Sequence, residues 1–125
     1  MLLNKTAFSG EDFIHGVKIM FTTSGSFQAL IRAHEYSDDK VYFTAYVAVP
    51  DSNKFFELNY EKINEELSIY KGGSDFDLKP MRELTYSEFS PDKKYKIFGF
   101  DSKVNEDLKE VAIETKELMS ILKML

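Results

Sequence analysis

The stretch SFQALIRAH, residues 26–34, alternates along its length. Phe27, Ala29, Ile31 and Ala33 fall on one side, and Gln28, Leu30, Arg32 and His34 on the other. A period of two belongs to a strand with one buried face. GVKIMFT (16–22) precedes it across TSG, where Gly25 is free to take a positive φ, which is a hairpin signal. SDD (37–39) then turns the chain into KVYFTAYVAV (40–49), rich in β-branched and aromatic residues. Pro50 ends that run, because it has no N–H for a ladder. Three consecutive strands joined by short turns make an antiparallel meander.

Beyond the meander, NYEKINEE (59–66) reads as a short helix with Asn59 as its N-cap. LSIYK (67–71) reads as a fourth strand and YKIFGFD (95–101) as a last one. Residues 105–125 read as a helix capped by Asn105 or Asp101, with Glu106 and Asp107 at its positive end. Leu108, Val111, Ala112, Thr115, Leu118, Met119, Leu122 and Leu125 form one apolar stripe at three-four spacing. The expected fold class is α+β: a twisted antiparallel sheet of about five strands with the C-terminal amphipathic helix packed on one face. Residues 1–125 read as a single globular domain.

Composition narrows the chemistry. The chain has no cysteine, which excludes thiolate metal sites, disulfides and thiol nucleophiles. Its histidines, His15 and His34, have no ligand spacing, and no P-loop, G-x-S-x-G or dinucleotide fingerprint occurs. The expectation is a protein that is not an enzyme and carries no metal or cofactor. A net charge of −5 disfavours non-specific nucleic-acid binding, which needs a basic face. The first residues do not form a secretory signal, and no run approaches the roughly 20 apolar residues of a membrane span. A cytoplasmic location, with no membrane partner, follows as an expectation. Aromatic residues make up 14% of the chain, which points to a homo-oligomer with some of Tyr42, Tyr46, Phe55 and Phe56 at a subunit contact.

Binding residues are sought on the strands and at the glycines. Arg32 and His34 share a strand face and together could contact an anion; a solvated outer face is the plainer alternative. Tyr42 and Tyr46 also share a face, suited to base stacking, protein contact or covering a sheet edge. Gly72 and Gly73 follow Lys71 and precede Ser74 and Asp75. Either they complete a turn, or their N–H groups form an anion-binding nest to which Lys71 adds charge.

The order AYVAVP (45–50), NYEKIN (59–64), IYKGG (69–73), LTYSE (84–88), FGFD (98–101) and a closing amphipathic helix resembles a family of small uncharacterised phage and prophage proteins. The core of that family runs Y-V-x-V-P, a D-Y-D/E segment, V-H-G-G-L-T-Y-S, then G-F-D-x-A-H and a helix. Lys71 stands where the family has the histidine before its glycines, residues 74–83 look inserted, and no histidine follows Asp101. What survives is Gly72, Gly73, Tyr86, Ser87 and Asp101. Lysine in place of histidine favours holding an anion over moving a proton.

The resemblance implies a phage-type protein that antagonises host defence in the host cytoplasm. One mechanism is a sponge that binds a small anionic, nucleotide-like immune signal and holds it uncleaved. Its ligand residues would be Arg32, His34, Lys71, Gly72, Gly73, Tyr86, Ser87, Asp101 and Lys103. The alternative is an acidic inhibitor that docks a host nuclease or defence enzyme through residues 38–39, 65–66 and 75–77. A ligand-free accessory protein is the third.

Overall fold

The computed structural model describes residues 17–73 and 83–124, with side chains placed except those of residues 17–21, 36 and 67–73. The meander is present as β1 (Val17–Ser24), β2 (Phe27–Ser37) and β3 (Lys40–Pro50). Gly25 has φ 61° and opens a two-residue turn, and only glycine takes that conformation without steric cost. Asp39 (φ 63°) does the same between β2 and β3, where a short polar side chain tolerates the left-handed region.

Two further strands complete the sheet: β4 (Tyr86–Phe89) and β5 (Tyr95–Asp101). Their order is β1-β2-β3-β5-β4, antiparallel throughout. The helix α2 (Leu108–Met124) packs against β2 and β3. The α+β architecture expected from the sequence is therefore the observed one. The cap of α2 is Asp107, not Asn105 or Asp101: its carboxylate accepts the Lys109 N–H at 2.9 Å. Asn105 instead extends β3, taking the Val41 N–H on its side chain and giving its own N–H to the Val41 carbonyl at 2.7 Å.

The structure departs from the expected strands at one place. Residues 67–71 are not a strand but part of α1 (Tyr60–Gly73). Tyr60, Ile63, Leu67 and Tyr70 recur every three or four positions, so the apolar run continues the helix that Asn59 starts. Asn59 does cap it, accepting the Lys62 N–H at 3.0 Å. The fourth strand is the short β4, whose run YSEF carries no long apolar pattern to announce it.

The core lies between the sheet and α2. Phe27, Ala29, Ile31, Phe43, Ala45, Val47, Val49, Phe98 and Phe100 from the strands meet Val111, Leu118, Met119 and Leu122 from the helix. Phe55 and Ile63 close one end of the core, and Phe55 is fully buried, which removes it from any subunit contact. Asn64 ties α1 to the segment before β4 by exchanging two 2.8 Å hydrogen bonds with the Leu84 backbone.

Candidate functional site

Because side chains alternate along a strand, the odd residues of β2 and β3 go to the helix and the even ones to the opposite face. There Leu30, Ala48 and Ile97 form a second, small apolar cluster, flanked by Tyr46 and Tyr95. Beside it, register sets Arg32 opposite Thr44 and Thr44 opposite Asp101. Two residues along, it sets Leu30 opposite Tyr46, Tyr46 opposite Gly99 and Gly99 opposite Tyr86. His34 and Tyr42 pair at the other end.

These side chains hold one another in place. Arg32 is only 7% exposed, and its Nη2 donates to the Tyr46 hydroxyl at 2.8 Å. The guanidinium carbon lies 5.0 Å from the centroid of the same ring, within cation–π range. Tyr46 meets Tyr86 edge to face, with centroids 5.5 Å apart and planes at 79°. The Tyr86 hydroxyl donates to Glu88 Oε2 at 2.7 Å. His34 stacks on Tyr42 at 4.9 Å, and its Nε2 hydrogen-bonds the Thr44 hydroxyl at 2.8 Å.

Gly99 makes room for this arrangement. A Cβ there would come within 2.7 Å of Tyr46 Cδ1 and 2.9 Å of the Ala45 carbonyl oxygen. The Tyr46 ring therefore lies against bare β5 backbone, which is what brings it between Arg32 and Tyr86.

Of the residues singled out in the sequence, Arg32, His34, Tyr86 and Asp101 share this face, spread over β2, β4 and β5. Ser87 does not: it lies on the helix-covered side, where its hydroxyl accepts the Tyr60 N–H at 2.9 Å and holds the start of α1. Lys103 lies in the exposed loop after β5, with its N–H given to Glu106 Oε1 at 3.1 Å. Lys71, Gly72 and Gly73 end α1, and the Lys71 side chain lies outside the described residues. The glycines are helical, the last described residues of α1, and do not open a turn after a strand. Gly73 lies about 15 Å along the axis from Ile63, an α1 residue of the core.

Tyr46, read in the sequence as suited to base stacking, completes the face together with Thr44, Glu88 and Gly99, which were not among the expected residues. Gly99 carried a readable signal, since a lone glycine within a strand marks a close approach. Among the described residues, no group of three or more His, Asp or Glu side chains is arranged to hold a metal. None of their helices is long and apolar enough to cross a membrane. Compared with known protein families, curated proteins and solved structures, the chain matches none of them.

Proposed function

We propose that the helix-free face binds a small anionic aromatic ligand of nucleotide type and holds it without cleaving it. The observation that supports this reading is the fixed Arg32–Tyr46–Tyr86 row. It sets the guanidinium of Arg32, itself only 7% exposed, beside an aromatic surface, and Tyr86 is 37% exposed at its open end. Arginine pairs with phosphate or carboxylate through its planar fork, and a ring stacks on any base. The resemblance to phage and prophage proteins supports a role in host-defence antagonism, with the ligand an immune signal sequestered in the host cytoplasm.

A second reading has its own support. Asp38 and Asp39 are exposed at the tip of the β2–β3 hairpin, and Glu65 and Glu66 are exposed on α1. Together with the net charge of −5, they suit docking to a basic surface of a host nuclease or defence enzyme. Residues 75–77 lie outside the described residues. A homo-oligomer belongs to either reading, with the half-buried Tyr42, Tyr46 and Phe56 remaining as candidates for the contact.

Incubation with cyclic and ADP-ribose-type nucleotides, followed by heat denaturation and assay of what is released, tests the first reading. Intact ligand released from wild type, with little retained by Tyr86→Ala, is the expected outcome. Altered ligand makes the protein an enzyme. No retention moves the function to a protein partner.

A further inference from the structure

The two edges of the sheet are not alike. β1 forms one, and its pairing with β2 slips between Lys18 and Met20, the kind of irregularity that blunts an edge. β4 forms the other and pairs with β5 without a slip from Tyr86 to Phe89. The Ser90 N–H donates to the Tyr95 carbonyl at 3.0 Å, which fixes the phase of this ladder. Antiparallel bonding alternates, so Tyr86 and Glu88 also bond toward β5, while the N–H and carbonyl groups of Ser87 and Phe89 point away from it. Among the described residues no hydrogen bond reaches those outward groups, since Tyr60 uses only the Ser87 hydroxyl. Side chains flank the open edge on both sides. Glu88 is exposed on the helix-free side. On the other side Phe89 is 38% exposed, with its ring 5.2 Å from that of Phe56 and the Lys96 ammonium 3.9 Å from its centroid.

We infer that β4 docks an extended segment of a partner protein, a strand with an apolar residue against Phe89 and Phe56 and a lysine or arginine opposite Glu88. The inference rests on the docking reading of the function and names its contact. Outward backbone groups are met in full by another strand, which a helix cannot do. A second copy of β4 fits poorly. The one antiparallel register that uses both outward residues of each copy sets Ser87 against Phe89 and therefore Glu88 against Glu88, and like charges directly opposite are destabilising. Pairing Ser87 with Ser87 brings Phe89 to Thr85, whose N–H is already given to Gly99 at 2.9 Å. Pairing Phe89 with Phe89 brings Ser87 to Pro91, which has no N–H. A basic residue opposite Glu88 removes the repulsion, and the net charge of −5 favours a basic strand over an acidic one.

NMR titration of the full chain with the end-blocked peptide TVKVT tests this. Its lysine stands for the basic residue and its valines for the apolar ones. The Ser87 and Phe89 amide resonances are expected to move and their hydrogen exchange to slow. N-methylation of both valines removes the donors that face β4, and these changes should then disappear. Glu88→Lys is expected to weaken TVKVT on the order of tenfold and to make TVEVT the tighter peptide. Equal binding of TVKVT and its N-methylated form, or the same preference in Glu88→Lys as in wild type, overturns the inference. Shifts confined to Asp38, Asp39, Glu65 and Glu66 overturn the edge and leave the docking reading standing. Shifts at Ser87 and Phe89 that grow with protein concentration alone make the occupant a second copy and overturn the inference too. No shift anywhere overturns both the inference and the docking reading.

Discussion

The two faces of the sheet are built by the same strands in alternation, yet they differ in kind. The helix-covered face is phenylalanine, valine and isoleucine from β2, β3 and β5 pressed onto α2. The helix-free face has one small apolar cluster, and around it Arg32, His34, Tyr46 and Tyr86, whose partners are chiefly polar or aromatic. The comparison separates two physical tasks. Removing apolar surface from water needs close packing and tolerates little change in volume. Recognition needs a few polar groups held in fixed directions, and these contribute little to stability when half-exposed. Substitutions on the two faces should therefore fail in different ways.

The largest effect belongs to the helix-covered face. Leu118→Asp places an unpaired carboxylate where the leucine is almost fully buried, at a cost of several kcal/mol against a domain stability of about 5–15. Loss of the cooperative thermal transition is expected, and an unchanged melting curve would refute the packing of α2. A paired measurement sharpens the contrast. Phe98→Ala should cost about 3–5 kcal/mol through the cavity it leaves, whereas Tyr86→Ala should cost less than about 1 kcal/mol and yet abolish ligand retention. Equal destabilisation by the two, measured in urea, would break the division between faces.

Gly99→Ala tests whether the tyrosine row depends on bare backbone. The added methyl meets both the Tyr46 ring and the Ala45 carbonyl, so a loss of about 1–3 kcal/mol is expected. The diagnostic readout is the ring: the Tyr46 and Tyr86 proton resonances should move together, and resonances left in place would show that the seat is not needed.

The smallest effect lies outside both faces, in the β4–β5 turn. The Ser90 hydroxyl donates to Asp92 at 2.7 Å and the Lys94 N–H at 3.0 Å, and they hold its carboxyl below the usual carboxylate range. A depressed folded pKa means that this contribution is fully present above the ordinary aspartate range and is lost as pH falls through the lowered value. Asp92→Asn should therefore lower stability slightly at neutral pH and converge with wild type in acid. A difference that persists undiminished in acid would show that the turn does not depend on the charge.

Legibility from the sequence followed the length and purity of each pattern. β2 and α2 each carry enough residues at one period to exclude the other, and β3 is legible from its β-branched and aromatic residues. LSIYK is too short to do so: five residues rich in apolar side chains fit a strand alone, and a helix once Tyr60 and Ile63 are counted with them. β4 is shorter still and gains its identity only by pairing with β5.

By itself the sequence determined that the chain makes a meander with a helix to cover it, that Arg32 and His34 share a face, and that thiol chemistry is impossible. Those properties are set by neighbours along the chain, through the two-residue period and the identity of each side chain. Only the tertiary structure decided that β5 inserts between β3 and β4, and that Gly72 and Gly73 belong to a helix rather than to a turn after a strand. It also decided that Arg32, Tyr46, Gly99 and Tyr86 meet. These residues come from four strands, and their adjacency depends on the register between strands distant in sequence. That register is chosen by the burial of the opposite face, since a slip of one residue would send Phe43, Val47 and Phe98 into water.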